Sequence, residues 1–102
     1  MGSFSAKLRI WNPAHPENSA ELEAMVETGA SFSWVHRERL EQMGVTTLRK
    51  MGFRAIDGSI PDTVVVTERS DMEVIGAHTI EGLGLAADPV QKRLVPTIGL
   101  AL

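Results

Sequence analysis

A six-residue pattern occurs twice in this chain of 102 residues. Residues 40–45 and residues 80–85 both read as an apolar residue, Glu, a variable residue, an apolar residue, Gly and an apolar residue. Upstream of each copy, a strand-like segment ends in Gly followed by Ala. The order strand, glycine bend, helix and glycine cap therefore repeats, and two such units are too few for a solenoid. Unless the match is a coincidence between short patterns, the repeat favours a small β domain with internal pseudo-twofold symmetry.

Two segments near the N-terminus alternate between apolar and polar residues, which is typical of half-buried β-strands. They are residues 4–10 and residues 20–26. Between them, residues 11–18 contain two prolines and two asparagines, and this composition predicts a loop. Two strands joined by a turn-rich segment are expected to form a hairpin.

Good helix formers fill residues 36–43, and Gly44 stands where a C-terminal cap would fall. This pattern predicts a short helix with Val35, Leu40 and Met43 facing inward.

The second half of the chain predicts another short helix at residues 77–83, although Gly82 weakens it. Asp57-Gly58 predicts a tight hairpin turn, and Pro61 either ends that hairpin or confines it to a sheet edge. Further strands are predicted at residues 63–67, 72–75 and 93–98. These elements together predict an all-β domain, a small closed or partly closed barrel, with one or two short helices.

Composition excludes several classes of protein. Because the chain has no cysteine, it forms no disulfide, no thiolate metal site and no catalytic thiol. It contains no apolar run long enough to cross a membrane, and its N-terminus does not resemble a secretory signal. A net charge of −3 without a basic cluster argues against a nucleic-acid partner. The three histidines lack metal-ligand spacing. We therefore expect one cytoplasmic domain over residues 1–102, with no metal or organic cofactor.

One acidic residue stands at a strand end where the chain must turn sharply. Val26 closes the second alternating strand, and Glu27-Thr28-Gly29 follows it. Gly29 permits unusual φ angles, and the Thr28 hydroxyl can hold the bend with a local hydrogen bond. This geometry would present the Glu27 carboxylate at a rigid position. Taken alone, such a pattern more commonly marks a solvated turn residue.

In its wider context, the run Val-Glu-Thr-Gly-Ala-Ser at residues 26–31 resembles the active-site motif of the retropepsin-like aspartic proteases, in particular their small bacterial members. In that family an apolar strand ends in Asp-Thr-Gly-Ala, followed by Ser or Thr and a short helix, so only the acid differs. The second family mark is two apolar residues and a glycine packed behind the active loop, which Val74, Ile75 and Gly76 match. Residues 79–96 also look like those members, so the resemblance spans nearly the whole chain.

The resemblance implies a homodimeric peptidase that acts on a peptide or protein substrate. Each protomer would supply one catalytic acid, here Glu27, with Thr28 cross-linking the two loops and Gly29 completing the triplet. The interface would include residues 28–30 and a terminal strand. The positions implied for substrate binding are Ala30, Asp57 and Gly58, and those implied for support of the active loop are Val74, Ile75 and Gly76.

Two departures from the family pattern bear on activity. Glu27 keeps the charge of aspartate but adds a methylene, so each carboxylate reaches about 1.5 Å further. A misplacement of about 1 Å can cost ~10²-fold in rate, so we expect peptidase activity to be strongly reduced or absent. Gly29 and Gly76 are only 47 positions apart, which leaves residues 53–61 for the hairpin flap that covers substrate, so we expect the flap to be short or largely missing.

Two alternatives stay open at this point. The fold could be retained as a non-catalytic module for dimerisation or peptide binding, which the glutamate and the short flap region favour. The chain could also be an unrelated small β domain in which the Thr-Gly-Ala triplet is a coincidence.

Overall fold

The computed structural model describes residues 4–45, 50–54, 59–68 and 71–97. Within these residues the chain forms eight β-strands and two short α-helices. In chain order they are β1 (Ser5–Asn12), β2 (His15–Val26), β3 (Ser33–His36), α1 (Arg37–Gln42), β4 (Lys50–Arg54), β5 (Ser59–Thr67), β6 (Val74–Ile75), α2 (Ala77–Gly82), β7 (Leu85–Asp88) and β8 (Arg93–Pro96). The predicted all-β class with two short helices is confirmed. Neither helix of this described part is long and apolar enough to cross a bilayer.

Six strands form a closed barrel in the order β1–β2–β6–β3–β5–β4, and β4 pairs back with β1. Most neighbours are antiparallel, but β6 runs parallel to β2, and β3 runs parallel to β5. The shortest member is β6, whose two residues pair with the end of β2 on one side, while Val74 alone pairs with Trp34 of β3 on the other. The β7–β8 hairpin forms a separate two-stranded sheet. This topology brings the end of β2 directly against β6.

The predicted loop at residues 11–18 is wrong, because β1 and β2 continue through most of it. Only Pro13 and Ala14 form the turn. The side chain of Asn12 stabilises it, since its Oδ1 accepts the N–H of Ala14 at 2.9 Å. Pro16 is tolerated because it falls where the register between the two strands shifts. The hairpin itself is present as expected, with a much tighter connection.

Several short strands differ from their predicted bounds. β3 and β7 were not predicted, because a four-residue strand is too short to show a clear period. β6 is shorter than the predicted strand at residues 72–75, since Met72 and Glu73 lie outside the ladder. β8 ends at Pro96, and residue 98 of the predicted strand lies outside the described residues.

The expected hairpin in the middle of the chain corresponds to β4 and β5, which pair antiparallel up to Arg54 and Ser59. Its predicted turn residues, Asp57 and Gly58, lie outside the described residues. β5 does not end at Pro61, but β3 pairs with β5 only beyond that residue. Pro61 therefore stands in a stretch that is paired on one side only, as a proline in a strand requires.

The barrel interior is filled by the inward-facing apolar residues of the strands and by residues of the two helical segments. Val35, Leu40 and Met43 are buried, as predicted. The other buried apolar side chains are Leu8, Ile10, Leu22, Ala24, Val26, Val45, Val64, Ile75, Ile80, Leu83, Leu85 and Leu94.

The repeated sequence pattern has the same local structure in both copies. Gly44 and Gly84 each follow a helix with positive φ, +78° and +73°. The N–H of each glycine bonds to the carbonyl of the glutamate three residues earlier, at 3.0 and 2.9 Å. Glycine adopts this left-handed conformation without the steric cost of a Cβ, so it ends both helices. The copies differ because β3 stands between the glycine bend and the helix in the first copy only.

Gly82 does not interrupt α2, and its role is one of close packing. A Cβ at this position would lie 2.6 Å from Cδ1 of Ile60 on β5. The missing side chain therefore lets α2 approach β5 closely.

Candidate active site

Glu27 lies at the end of β2, where the chain turns away from the barrel. Its N–H donates to the carbonyl of Ile75 at 3.0 Å, and its own carbonyl accepts the N–H of Ala30 at 3.1 Å. Glu27, Thr28 and Gly29 are exposed, whereas Ala30 is half-buried. We refer to residues 27–32 as the Glu27 loop. The acid therefore stands on a turn that is anchored to the central strand β6.

The Glu27 carboxylate folds back over its own loop. Its Oε1 accepts the N–H of Gly29 at 3.3 Å, which is a long and therefore weak hydrogen bond. A Cβ at Gly29 would also lie 3.3 Å from this oxygen, closer than ordinary packing. The glycine thus gives the longer glutamate side chain room to make this contact.

Gly76 and the two residues after it hold the far side of the Glu27 loop. The N–H of Ala77 donates to the carbonyl of Ala30 at 2.7 Å, and the N–H of His78 donates to the carbonyl of Ser31 at 3.0 Å. A Cβ on Gly76 would lie 2.8 Å from the Ala30 carbonyl oxygen and closer still to that of Phe32. Only glycine fits between these carbonyls, so the start of α2 and the loop form one packed unit.

A buried hydrogen-bond network lies directly beneath this junction. The N–H of Gly76 donates to Oγ of Ser33 at 3.0 Å, and the Ser33 and Thr79 hydroxyls are 2.5 Å apart. The Thr79 hydroxyl donates in turn to the Asp62 carboxylate on β5. Ser33 and Thr79 are completely buried. This network links β5, α2 and β3 to the residue that supports the Glu27 loop.

A second charged cluster fixes the chain just before β6. The carboxylate of Glu73 accepts two hydrogen bonds from the Arg39 guanidinium, at 2.8 and 2.9 Å, and one from the N–H of His36 at 3.0 Å. Burial alone would raise the pKa of Glu73, but Arg39 and the His36 N–H outweigh it and hold that pKa below its ordinary value. The Glu73 carbonyl also accepts the N–H of Met25 at 2.9 Å. The cluster thus ties α1 to both β2 and the entry into β6.

An apolar stripe crosses the outer face of the barrel next to the Glu27 loop. It consists of Met25, Val74, Trp34 and Val65, which are cross-strand partners on β2, β6, β3 and β5. Paired residues share a face of the sheet, and the sequence neighbours of these four residues point into the core. Trp34 is 41% exposed, and the nearby Met72 is 58% exposed. A stripe of this kind can bind apolar side chains of a ligand.

A shallow groove of about 280 Å³ lies between α2 and the β7–β8 hairpin and reaches the Glu27 loop. Its walls are mostly apolar and are formed by Thr28, Ala77, Ile80, Glu81, Leu85, Ala86, Ala87 and Thr97. Thr28 therefore belongs to both the loop and the groove.

The structure places two of the remaining candidate residues, His15 and His36, outside the Glu27 loop. Asp57 and Gly58, expected to bind substrate, lie outside the described residues. His15 is exposed beside Glu17, and His36 immediately precedes α1. Over residues 4–45, 50–54, 59–68 and 71–97, no three His, Asp or Glu side chains are arranged to hold a metal ion.

No protein-family model and no curated protein matches the sequence. Solved structures do match. A retropepsin-like aspartic protease from Rickettsia conorii aligns with a TM-score of 0.56 over 85% of this chain and 85% of that chain, at 15% sequence identity. The retroviral protease-like domain of Ddi1 from Leishmania major aligns with a TM-score of 0.61 over 95% of this chain and 96% of that chain, at 16% identity. This chain has the retropepsin-like fold.

The retropepsin-like fold was expected from the motifs at residues 26–31 and 74–76, and the comparisons confirm that expectation. Both solved chains are matched over most of their own length, so the likeness extends well beyond a single hairpin. Three buried residues that support the site, Ser33, Thr79 and Glu73, were not singled out by the sequence motifs. A signal was present for two of them, because Ser33 and Glu73 have the parity of the buried Val35 and Ile75. A polar residue at an inward position needs a buried partner.

Proposed function

We propose that this chain is the protomer of a homodimeric aspartic-type endopeptidase domain, with Glu27 in the acid position and hydrolysis strongly reduced by that glutamate. The observation that carries the proposal is the position of Glu27. It stands, exposed, on a strand-end turn that Gly76 and the start of α2 support, within a retropepsin-like fold. An acid displayed on a well-anchored turn suits general acid–base chemistry, which requires fixed geometry.

Two copies are needed because one Glu27 cannot be both acid and base at once. Thr28 lies on the same face as the groove along β7, so a twofold contact through the Glu27 loop would also cover that apolar groove. The two Glu27 carboxyl groups brought together on the twofold axis would share one proton, since two carboxyl groups in contact cannot both ionise. The ionised carboxylate would take a proton from a bound water, and the protonated one would donate to the scissile carbonyl oxygen.

The stripe of Met25, Val74, Trp34 and Val65 provides the surface for substrate. An extended peptide has side chains that alternate in direction, and the half-exposed apolar stripe suits large apolar side chains on one side of it. The substrate class is therefore a peptide or unfolded protein segment with apolar residues near the cleaved bond.

A specific observation favours a second function, a non-catalytic protease-like module for dimerisation or peptide binding. The Glu27 carboxylate accepts a hydrogen bond from the Gly29 N–H of its own loop. The longer side chain therefore folds back on the loop. An aspartate side chain is one methylene shorter, so it would leave more space for a water between the two carboxylates. The same scaffold would then bind peptides without cleaving them.

Cleavage of an unfolded protein by the wild type, Glu27→Asp and Glu27→Ala, at about pH 4 to 7, separates the two functions. Glu21→Asp is the matched control, because it makes the same change on an exposed part of β2. We expect Glu27→Asp to gain pepstatin-sensitive cleavage by ~10²-fold over the wild type, and Glu27→Ala to show none.

Sedimentation velocity of the same variants measures the dimer. If no variant cleaves while all of them dimerise, the non-catalytic module is the correct function. If all variants are monomers, both functions are wrong, because each requires the twofold contact.

A further inference from the structure

The network below the Glu27 loop has a fixed direction. The Thr79 hydroxyl donates its single proton to the hydrogen bond with the Asp62 carboxylate. Thr79 must then accept from the Ser33 hydroxyl, and Ser33 in turn accepts from the N–H of Gly76. Every donor in this series has one acceptor, and the series ends at Asp62.

The series begins on the residue that holds the loop. The N–H of Gly76 is the first donor, and the next two amides, those of Ala77 and His78, donate to the carbonyls of Ala30 and Ser31. The orientation of the Gly76 peptide therefore determines where the two following amides point. Because Ser33 and Thr79 are completely buried, water cannot replace a missing partner in the middle of the series.

We propose that Asp62 is a positioning residue for the Glu27 loop, acting through Thr79 and Ser33 on the Gly76 amide. Asp62 is on β5, while the loop follows β2, so the effect passes between parts of the barrel that are not neighbours in sequence. The packing of Gly82 against Ile60 holds α2 beside β5 and keeps Thr79 within reach of Asp62. The importance of this positioning for hydrolysis rests on the proposed function, whereas its effect on loop order does not.

Amide hydrogen exchange of the intact chain tests the proposal directly. The amides of Ala77 and His78 report docking of the loop, and the amide of Val26, which donates to the carbonyl of Phe4 just before β1, reports the barrel. We expect Asp62→Ala to lower the protection of Ala77 and His78 at least about tenfold more than that of Val26. Asp62→Asn retains an acceptor oxygen and should stay within about threefold of wild type.

A second pair of variants keeps the proposal testable if Asp62→Ala does not fold. Thr79→Val has nearly the same shape as threonine but no hydroxyl, and it should reproduce the loss, whereas Thr79→Ser should restore protection. Because the two residues act in series, the double variant Asp62→Ala/Thr79→Val should lose no more protection than Thr79→Val alone. Glu21→Ala, which removes an exposed carboxylate from β2, is the control for the change in charge.

The proposal is overturned if Val26 loses as much protection as Ala77 and His78, because Asp62 then only stabilises the whole barrel. It is also overturned if Asp62→Asn behaves like Asp62→Ala, since the acceptor would then not be what matters.

A kinetic measurement connects the network to chemistry. In the Glu27→Asp background, Asp62→Ala should lower kcat about tenfold and leave KM within about twofold, because the acid moves while the apolar stripe stays intact. An equal rise in KM would overturn the positioning role. If Glu27→Asp itself is inactive, the proposed function fails, and the exchange experiment still decides the role of Asp62.

Discussion

The guanidinium of Arg39 forms a two-pronged ion pair with the buried carboxylate of Glu73, with Nε to Oε2 at 2.8 Å and Nη2 to Oε1 at 2.9 Å. The Glu73 side chain is only 6% exposed. A buried carboxylate that loses its guanidinium partner is costly, because water cannot readily replace the two lost hydrogen bonds. The pair therefore holds α1 against the residue that leads into β6.

Arg39→Ala should lower the free energy of unfolding by about 3 kcal/mol, because it leaves the Glu73 charge buried and unpaired. Urea denaturation measures the change. The matched control is Arg37→Ala on the same helix, whose partner Glu68 is largely exposed, and it should leave stability nearly unchanged. Equal effects of the two variants would contradict the importance given to burial.

The same pair predicts how stability depends on pH. Burial raises the pKa of Glu73, but the hydrogen bonds from Arg39 and from the His36 N–H lower it by more. The pKa of Glu73 therefore lies below its ordinary value of 4.5. A group whose pKa is lowered on folding adds stability above its unfolded pKa and loses that contribution as pH falls towards the folded value. The stability difference between wild type and Glu73→Gln should therefore be constant above about pH 5.5 and shrink as pH falls below 4.5. Unfolding curves at a series of pH values measure it, and a difference that grows on acidification would refute the assignment.

Gly76→Ala should destabilise the protein by about 3 kcal/mol, because its Cβ would meet the carbonyls of Ala30 and Phe32. Gly84→Ala is the control. A Cβ there meets nothing within 4 Å, so only the positive φ opposes it, at about 1 kcal/mol. Thermal or urea unfolding compares the two, and amide exchange at Ala77 should rise in the first variant alone. A larger loss in Gly84→Ala than in Gly76→Ala would contradict the importance given to close packing at Gly76.

Gly82→Ala should change stability little as a single variant. Alanine favours the helix by up to about 1 kcal/mol, but its Cβ meets Cδ1 of Ile60. Ile60→Val removes that methyl group, so the alanine should stabilise the Ile60→Val protein by about 1 kcal/mol. A double-mutant cycle from urea unfolding measures this coupling, and additive effects would mean that the two residues do not interact.

Trp34→Ala should weaken substrate binding in the Glu27→Asp background, because it removes the largest side chain of the apolar stripe. We expect KM for an apolar peptide to rise about tenfold, with a much smaller change in kcat. Val90→Ala is the control, since Val90 is also an exposed apolar residue but lies outside the stripe. If both variants leave KM unchanged, the peptide binds elsewhere.

Sequence periodicity predicts the parts of the fold whose contacts are local. The alternation of residues 4–10 and 20–26 gives the β1–β2 hairpin, and the spacing of Leu40 and Met43 gives α1. The turn between the two strands was misplaced, because the side chain of Asn12 stabilises a connection that composition alone does not reveal.

The parts that could not be predicted depend on pairing between distant segments. Periodicity does not show that Met25 pairs with Val74, or that Thr79 bonds to Asp62, since both contacts require the closed barrel. The Glu27 turn could be predicted because glycine and threonine mark it locally, and the family resemblance placed residues 74–76 behind it, whereas the buried network below it joins β3, β5 and α2.

The short strand β6 has a consequence for the nascent chain. The end of β2 and residue Trp34 of β3 both use β6 as a partner, and β6 contributes only Val74 and Ile75. While the chain is being synthesised, this sheet stays open until those two residues leave the ribosome. We therefore expect a polypeptide that terminates before Val74 to expose unpaired strand ends and to aggregate, whereas a polypeptide that also includes α2 and the β7–β8 hairpin can bury its core.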